Sequence, residues 1–273
     1  MNVGLVAQKG NGRAAFLAST LRTRLRESGA DVTVDAATAE TIDVEGTPLD
    51  AFDACDLIVS IGGDGTFLFA ARGANGTPIL GVNLGEVGFL NAVGPDEAEA
   101  AVLDAVADAR AGELDTREAP RLAASGDDWT SDPATNEVVI QGPYRGHGGG
   151  VSVEIRVDGS LYSGSHADGV LVATPTGSTA YNLSEKGPLI TPDVDGLVVN
   201  EMCATGGMPP LVVGEESEVS VTITDADSAV VVSDGRLVRE LSPPTEVRVS
   251  TADTPLRIAG PSSDFFEALG KLD

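Results

Sequence analysis

Residues 62–66, Gly-Gly-Asp-Gly-Thr, have the composition of a phosphate-binding loop and directly follow the apolar run 57–61. Glycines let the backbone approach a phosphate closely, and a helix that begins here offers free N–H groups and the positive end of its dipole. Asp64 is repelled by bound phosphates and is costly there unless it serves the reaction, for example by taking the proton from an attacking hydroxyl. An Asp-Gly turn without chemistry is the alternative. The segment is not a P-loop, because the chain contains no G-x-x-x-x-G-K-[ST] pattern.

Residues 174–181, Thr-Pro-Thr-Gly-Ser-Thr-Ala-Tyr, form a second segment with unusual chemistry, directly after the apolar run 169–173. Half of its residues carry aliphatic hydroxyls. Pro175 and Gly177 favour an irregular backbone whose N–H groups are free to bind an anion as a nest. Tyr181 is suited to stacking on a flat heterocycle such as nicotinamide or adenine. The segment therefore predicts a second phosphate-binding or nucleotide-binding loop, with a solvent-facing Ser/Thr turn as the alternative.

Single polar residues elsewhere carry weaker signals. Asn136 and Glu137 head a predicted strand and either bind ribose hydroxyls or cap the strand. Asp168 precedes Gly169 and either binds an amide or ribose or forms an ordinary turn. His147 and His166 show no metal-ligand spacing and are expected at the surface or in loops. Cys55 and Cys203 belong to no C-x-x-C pair, so they are expected to be buried reduced thiols.

The composition is strongly acidic, with a formal charge of -25 from 42 acidic and 17 basic side chains. Such a surface repels nucleic acid and anionic membranes, so neither is expected as a partner. The acids are spread along the whole chain, as a salt-adapted protein of a halophilic organism requires. No long apolar run predicts a signal peptide or membrane span, and we expect a cytoplasmic location.

The predicted elements change character along the chain. Short apolar strands at 2–7, 31–34, 57–61 and 79–82 alternate with helices, which indicates a parallel sheet covered on both faces. The helix predicted at 13–28 presents Phe16, Leu17, Leu21 and Leu25 on one face, and the one at 96–111 presents Ala98, Ala101, Val102, Ala105 and Val106. After these elements the chain becomes rich in strands. The predicted β runs are 138–141, 151–157, 169–173, 197–201, 218–224, 229–233 and 245–250.

The predicted fold is therefore an α/β domain with a parallel sheet followed by a β-rich, sandwich-like domain. We place the α/β domain at residues 1–115 and the β-rich domain at 116–250. A C-terminal segment, 251–273, contains a short amphipathic helix at 264–272 that must pack on another part of the chain. Ligands of a parallel sheet bind at the carboxyl ends of its strands, where Asp64 is expected.

Four segments, in this order, resemble the NAD kinase family. Residues 62–72 match its GGDGT-x-L-x-x-x-R pattern, and residues 81–90 match G-x-N-x-G-x-x-G-F-L. Asn136 and Glu137 match its NE pair, and residues 168–184 match its DG…TPTGSTAY-x-x-S block. The resemblance implies that an α/β domain and a β-rich domain form the active site between them, with the C-terminal segment returning to the first domain.

The implied reaction is transfer of a phosphoryl group to the 2′-hydroxyl of the adenosine ribose of NAD. The donor is ATP or, in some family members, inorganic polyphosphate. Asp64 is implied as the general base on that hydroxyl. Mg²⁺ is implied as a cofactor held through the donor phosphates rather than by protein side chains. The implied partners are these substrates and further copies of the chain, as a dimer or tetramer.

The resemblance also assigns contacts to individual residues. Asn136 and Glu137 hold an adenosine ribose, Phe89 lines the adenine pocket, Asp168 holds the nicotinamide end, and Gly65 contributes phosphate-binding backbone. The complete predicted nucleotide-binding set is Gly63, Gly65, Thr66, Phe89, Asn136, Glu137, Asp168, Thr176, Ser178, Thr179, Ala180, Tyr181 and Ser184. Lys9, Arg72 and Lys186 are candidates for contacts to the donor phosphates.

Two segments depart from the family pattern. The family commonly continues S-x-G-G-P, whereas Lys186 stands here at the first glycine. Its side chain either narrows the pocket or supplies a cation for phosphate. Residues 204–210 replace a stretch that often reads His-Ser-Leu-Ser leading to Arg-Pro. Two alternatives follow: an NAD(P)-binding regulator that has lost turnover, or a lipid or sugar kinase that shares only the GGDGT element.

Overall fold

The computed structural model describes residues 1–85, 88–144, 146 and 149–270, which form two compact units. The first unit comprises residues 1–119 together with the C-terminal segment from Thr254 onward, and the second comprises Pro120–Asp253. The strands, numbered in chain order, are β1 (Asn2–Ala7), β2 (Asp31–Val34), β3 (Leu57–Ile61), β4 (Ile79–Val82), β5 (Thr116–Ala119), β6 (Leu122–Gly126), β7 (Trp129–Thr130), β8 (Glu137–Gln141), β9 (Val151–Val157), β10 (Ser160–Ala167), β11 (Gly169–Ala173), β12 (Gly196–Met202), β13 (Leu211–Gly214), β14 (Val219–Asp225), β15 (Ala229–Ser233), β16 (Arg236–Leu241), β17 (Thr245–Thr251) and β18 (Leu256–Ala259).

The helices contain fewer residues than the strands and lie mostly in the first unit. They are α1 (Gly12–Glu27), α2 (Ala36–Ile42), α3 (Asp64–Ala74), α4 (Ala98–Ala111), α5 (Tyr181–Ser184) and α6 (Phe265–Leu269), with 3-10 helices at Leu49–Ala54 and Thr176–Thr179. Within the described ranges every helix is too short or too polar to cross a membrane.

The first unit is a three-layer α/β structure around a six-stranded sheet of order β2-β1-β3-β4-β18-β5. Every neighbouring pair is parallel except β18 with β5. Alternate residues of the buried strands face opposite layers, so Leu5 and Val59 pack with α1 and α4 while Val6 and Ile58 pack with α3. The predicted strands β1 to β4 and the parallel sheet are confirmed. The buried apolar runs of β1, β3 and β4 are easy to recognise, whereas in β2 only Val34 is buried.

Helix α1 shows one wrong prediction. Asn11 caps its N-terminus by accepting hydrogen bonds from the backbone N–H groups of Arg13 and Ala14. The buried face consists of Ala14, Ala18, Leu21 and Leu25, whereas Phe16 is 76% exposed. Two residues correspond to a rotation of about 200°, so Phe16 lies opposite Ala14 and Ala18. Small alanines, rather than the aromatic ring, allow the helix to pack closely on the sheet.

The second unit contains two six-stranded sheets, of order β10-β9-β14-β17-β6-β7 and β13-β12-β11-β8-β15-β16. All of their strand pairs are antiparallel. Alternate apolar residues of both sheets, such as Val153, Val221, Val138 and Val172, form one shared core, which is the arrangement of a β-sandwich. The predicted β-rich, sandwich-like architecture is confirmed.

Strands β8, β11 and β12 are buried on both faces. Their outer face, including Leu171 and Val198, is covered by Ile190 and the ring of Tyr181. The segment around residues 174–190 therefore lies on the outer surface of this sheet. Its position follows from the continuous apolar sequences of β11 and β12, which leave an apolar outer face to cover.

The two cysteines have different environments. Cys55 is buried, and burial together with the nearby Asp56 and Asp53 charges raises the pKa of its thiol to about 11, with a Thr33 hydrogen bond acting in the opposite direction. Cys203 is exposed, so the prediction that both thiols are buried is wrong for this residue. Its backbone has a φ of 51° in the turn after β12, which holds it at the surface.

Candidate functional site

The loop at residues 62–66 lies at the carboxyl end of β3 and begins α3. The Gly62 N–H bonds to the Val82 carbonyl at 2.9 Å, and Gly63 is the N-cap of α3. A Cβ on Gly62 would lie 2.4 Å from Thr66 Oγ1, so packing requires this glycine. A Cβ on Gly63 or Gly65 would meet no atom within 4 Å, so packing within the chain does not require these glycines.

The same loop presents free backbone donors. No described residue accepts a hydrogen bond from the N–H groups of Gly63, Asp64 or Gly65. These N–H groups lie at the first turn of α3, where the helix dipole favours a negative charge. The open space at Gly63 and Gly65 and the unused donors are compatible with the anion-binding loop that the sequence predicts.

The Asp64 carboxylate contacts the segment that follows β4. Its Oδ2 accepts from the Phe89 N–H at 3.1 Å, and its Oδ1 accepts from the Leu90 N–H at 3.3 Å and from Asn91 Nδ2 at 2.9 Å. A Cβ on Gly88 would lie 2.5 Å from Asp64 Oδ1. The motif at residues 81–90 therefore closes around Asp64; its Glu86 and Val87 lie outside the described residues.

Asn91 is a residue that the sequence motifs do not include. Its side chain is fully buried and directly follows the G-F-L segment. A Cβ on Gly81 would lie 2.4 Å from Asn91 Oδ1, so this glycine makes room for the amide. The signal available in the sequence was an amide in an otherwise apolar context at the end of a motif.

Phe89 is partly buried and lies against the C-terminal segment. Its ring centroid is 5.8 Å from that of Phe265, and its carbonyl accepts a hydrogen bond of 2.9 Å from Ser263 Oγ. Helix α6 corresponds to the helix predicted at 264–272, of which residues 271 and 272 lie outside the described residues. The segment after β18 thus packs against Phe89, the residue predicted to line the adenine pocket.

The hydroxyls of the loop at residues 174–181 divide into structural and accessible groups. Thr174 and Ser178 are fully buried. The Thr174 hydroxyl donates to the Thr135 carbonyl at 2.7 Å and accepts from the Gly177 N–H at 3.0 Å. The Ser178 hydroxyl donates to the Ile190 carbonyl and accepts from the Ile190 N–H. The predicted contact between Ser178 and a nucleotide does not suit its side chain, whose hydroxyl is already used in the fold.

The remaining predicted residues of this loop are accessible. Thr176, Thr179, Ala180 and Tyr181 are partly exposed, and Ser184 is exposed. The loop is therefore a rigid support, formed by Thr174 and Ser178, that carries a partly exposed row of hydroxyl and backbone groups.

Asn136 and Glu137 lie beside this loop. A Cβ on Gly177 would be 2.0 Å from the Asn136 carbonyl, so the two backbones are in close contact. Asn136 is partly exposed, and no described residue is hydrogen-bonded to its side chain. Glu137 is only 7% exposed, and within the described ranges its Oε2 has no hydrogen-bond partner.

The environment of Glu137 favours its protonated form. Burial, together with the charge of Asp234, raises the pKa of this carboxyl to about 7, while a hydrogen bond from the Tyr181 backbone acts in the opposite direction. Near neutral pH the carboxyl is thus divided between a donor and an acceptor state. Asn136 and Glu137 can therefore both donate hydrogen bonds to hydroxyl groups and accept hydrogen bonds from them.

The other predicted contacts lie at varied positions. Asp168 is partly exposed between β10 and β11, and its Oδ1 accepts from the Gly146 N–H at 2.9 Å. Lys9 is exposed in the turn after β1. Arg72 lies in the last turn of α3, seven residues beyond Gly65, or about 10 Å along the helix axis. This distance does not suit the predicted contact between Arg72 and phosphate at the loop.

Both departures from the family pattern line one cleft of about 530 Å³ in the second unit. Lys186 has a φ of 62°, a conformation that glycine adopts without strain and lysine does not. The next residue, Gly187, is retained because a Cβ there would lie 1.8 Å from Asn182 Oδ1. Ala204, Gly207, Met208 and Pro210 line the cleft beside the exposed Lys186 side chain. The residues that line it are Ser184, Glu185, Lys186, Asn200, Glu201, Cys203, Ala204, Gly207, Met208 and Pro210.

In the part of the chain that the structure describes, no three acidic, histidine or cysteine side chains are grouped so that they could hold a metal ion. His166 is exposed on β10, and its Nε2 lies 3.0 Å from the Gly149 carbonyl. His147 lies outside the described residues.

Solved structures share this fold over almost the whole chain. The crystal structure of a yeast NADH kinase complexed with NADH superposes with a TM-score of 0.86 at 22% identity, covering 100% of this chain and 87% of that one. An NAD kinase from Archaeoglobus fulgidus, in complex with ATP, gives a TM-score of 0.79 at 26% identity, covering 99% and 98%. The architecture is therefore that of the NAD and NADH kinases.

Sequence comparison makes the assignment specific. The ATP-NAD kinase N-terminal domain matches residues 3–110, and the ATP-NAD kinase C-terminal domain matches residues 135–260. NAD kinases from Haloarcula marismortui, Halorubrum lacusprofundi and Halobacterium salinarum are 58%, 60% and 57% identical, each over the full length of both chains. The chain belongs to the NAD kinase family. This membership disfavours the lipid or sugar kinase alternative, and these relatives come from halophilic archaea.

Proposed function

We propose that the protein is a NAD kinase that phosphorylates the 2′-hydroxyl of the adenosine ribose of NAD to make NADP. The hydroxyl oxygen forms a bond to the terminal phosphorus of ATP, and the bond between that phosphorus and the bridging oxygen breaks, releasing ADP. Asp64 takes the hydroxyl proton. The observation that carries the proposal is an ionisable carboxylate fixed at the open, glycine-flanked N-terminus of α3.

The first unit acts on the phosphates in this proposal. The free N–H groups around Gly63 and Gly65, next to Thr66, bind the donor phosphates. Lys9 adds a cation, because it follows β1, whose last residue pairs with Ile61 at the end of β3, directly before the loop. Mg²⁺ would be held through the donor phosphates rather than by protein side chains, and it would supply positive charge against the negative charge that develops during transfer. Arg72 is left out because of its distance along α3.

The second unit holds the nucleoside groups. Asn136 offers an unused amide, and Glu137 offers a carboxyl that donates or accepts, which suits the two hydroxyls of a ribose. Tyr181, Thr176, Thr179, Ala180 and Ser184 supply the accessible face of the neighbouring loop. Asp168 is assigned to the nicotinamide end. Lys186 is kept as a candidate phosphate contact because it is an exposed cation beside Ser184.

ATP is the proposed donor of the phosphoryl group, with inorganic polyphosphate as the alternative. NAD rather than NADH is the proposed acceptor.

One observation favours a second candidate function, an NAD(P)-binding regulator without turnover. Lys186 and residues 204–210, which depart from the family pattern, share one cleft, and in this alternative the departures remove a contact needed for turnover. Measurable NAD affinity without NADP formation, with either donor at molar KCl, would select this alternative. A cytoplasmic, homo-oligomeric protein remains our prediction.

The decisive experiment is a coupled assay of NADP formation at molar KCl, comparing ATP with polyphosphate, for the wild type and Asp64→Asn. We expect the substitution to lower kcat by about 10²-fold to 10⁴-fold, the usual contribution of a general base. Equal rates in the two proteins would show that Asp64 is not the base.

A matched variant separates the base from its structural contacts, since the amide of Asp64→Asn also places a donor opposite the Phe89 N–H. Asn91→Ala retains the carboxylate and removes one of its hydrogen bonds. We expect Asn91→Ala to lower kcat less than tenfold, with the melting temperature of each variant measured alongside. If Asn91→Ala lowers kcat as much as Asp64→Asn, the role of the carboxylate is to hold the loop.

A further inference from the structure

The turn that carries Asn136 and Glu137 is held by one distant carboxylate, that of Asp234. Asp234 Oδ2 accepts from the Thr135 N–H at 2.7 Å, and its Oδ1 accepts from the N–H groups of Asn136 and Glu137 at 2.8 and 3.2 Å. The Asp234 N–H in turn donates to the Glu137 carbonyl at 3.1 Å. Three consecutive backbone donors thus converge on a side chain about a hundred residues away in the sequence.

The carbonyl side of the turn is fixed as well. The Thr174 N–H donates to the Asn136 carbonyl at 2.9 Å, and the Thr174 hydroxyl donates to the Thr135 carbonyl at 2.7 Å. With its donors bound by Asp234 and its acceptors bound by Thr174, the turn has little backbone freedom. The only group of Asn136 left without a described partner is its side-chain amide.

Asp234 is suited to this position by its own backbone. It lies in the Asp-Gly turn between β15 and β16 with a φ of 44°, a left-handed conformation that Asp and Asn tolerate better than other non-glycine residues. The buried Arg121 interacts electrostatically with Asp234, and this charge favours the protonated guanidinium against the effect of burial, which lowers the pKa of Arg121.

We infer that Asp234 is a positioning residue for nucleotide recognition, which orients the Asn136 amide and the Glu137 carboxyl through the backbone of their turn. The inference rests on the proposed function, which assigns these two side chains to the adenosine ribose of NAD. Asp234 itself contacts no substrate in this scheme. Its loss lets the turn relax, so that the two side chains no longer meet the ribose together.

The test is Asp234→Asn, which tolerates the left-handed backbone but replaces one acceptor oxygen by an NH₂ group facing backbone donors. At molar KCl we expect the KM for NAD to rise tenfold or more, while kcat and the KM for ATP change less than threefold. A merely structural role would lower the amount of active enzyme without separating the two KM values. Asp234→Glu keeps the charge beside Arg121 but displaces the carboxylate by one methylene, and the same selective rise is expected.

Asp158 supplies the matched control. It also lies in an Asp-Gly hairpin turn of the second unit, with a φ of 50°, and its Oδ1 accepts from the Glu218 N–H at 2.9 Å. Asp158→Asn is expected to leave both KM values unchanged. If Asp234→Asn and Asp234→Glu behave like Asp158→Asn, the inference is wrong.

Calorimetric titration with NAD, together with the KM values, distinguishes failure of the inference from failure of the proposed function. An active wild type with an unchanged KM for NAD in the Asp234 variants overturns the inference and leaves the proposed function intact. An inactive wild type that binds NAD overturns the proposed function, and weaker binding by Asp234→Asn than by Asp158→Asn then supports the inference. A wild type that neither binds NAD nor converts it overturns both.

Discussion

The structural contacts of Asp64 and its proposed role as general base fall on one carboxylate. A carboxylate offers about four acceptor positions, and three are occupied by Phe89, Leu90 and Asn91. One acceptor position is therefore left for the hydroxyl of the proposed reaction. The hydrogen bonds fix the direction of that free position, which is what a general base requires before any proton moves. The three hydrogen bonds of the Asp64 carboxylate are therefore compatible with its proposed role as general base.

The raised pKa of Glu137 predicts that the free energy of unfolding depends measurably on pH. Its folded-state pKa of about 7 lies above the ordinary value of 4.5, so the folded protein binds the proton more tightly than the unfolded chain. Its favourable contribution is complete below about pH 4.5 and is lost as the pH rises through 7. At pH 8 the buried charge costs roughly 3 kcal/mol. Glu137→Gln, which cannot ionise, should recover much of this free energy at pH 8 and little at pH 4.5.

Urea unfolding at constant molar KCl, repeated between pH 4.5 and 8, measures the difference between the two proteins. Glu240→Gln is the control, because Glu240 is exposed on the edge strand β16 of the same unit. It is expected to change the free energy of unfolding by less than about 0.5 kcal/mol at every pH. A wild type and Glu137→Gln whose curves stay parallel across this range would exclude the perturbed carboxyl.

At the scale of elements, the segment after β4 depends on close approach to α3. A Cβ on Gly88 would lie within 2.5–2.9 Å of all three carboxyl atoms of Asp64. Gly88→Ala must therefore displace the carboxylate and weaken its bonds to Phe89 and Leu90. We expect a loss of about 1–3 kcal/mol in unfolding free energy and a fall in kcat of at least tenfold, measured by urea unfolding and the coupled assay.

Gly94→Ala is the matched control for this element. Gly94 follows in the same connection between β4 and α4, and a Cβ there would meet no atom within 4 Å. Both its stability and its activity should stay close to those of the wild type. If Gly88→Ala is equally harmless, the Asp64 carboxylate is not held as the contacts indicate.

The elements also show which features a sequence can predict. Strands β1, β3 and β4 were predictable because their apolar runs are buried and end at turn residues. Strands β10 and β16 were missed because they lie at sheet edges, where half or more of the side chains are exposed and no apolar pattern develops. The pattern of large apolar residues in α1 predicts Phe16 on the buried face, whereas small alanines complete that face with Leu21 and Leu25 and Phe16 lies on the opposite side.

For the candidate site, residue types were predictable and partners were not. The glycines and Asp64 are recognisable because a local loop and helix start define their setting. The hydrogen bonds of Asp234 to Asn136 and of Thr174 to Thr135 join residues 98 and 39 positions apart, so they depend on the register of β8, β11 and β15. The sequence predicts a ligand contact for Ser178 because a hydroxyl in a loop does not reveal whether its hydrogen bonds are internal, as those to Ile190 are.

At the scale of the whole molecule, charge is the dominant feature. The 42 acidic side chains exceed the 17 basic ones by 25, and the five described ion pairs are all substantially exposed. Exposed pairs contribute only about 0.2–1 kcal/mol each. Repulsion among the remaining carboxylates therefore opposes the compact state unless salt screens it.

The fold is accordingly expected to require salt. The Debye length falls from about 10 Å at 0.1 M to about 3 Å at 1 M, so most of the repulsion should be screened by 1 M KCl. At pH 8 we expect the melting temperature to rise by roughly 10 °C between 0.1 and 1 M KCl, equivalent to a few kcal/mol for a chain of this size. The rise should become shallow beyond 1 M, where screening is nearly complete. Repeating the measurement near pH 4, close to the pI of about 4.2, should reduce the rise because roughly half of the carboxylates are then protonated. A melting temperature independent of salt at pH 8, or an equal rise at both pH values, would mean that KCl acts through hydration of apolar surface rather than through charge.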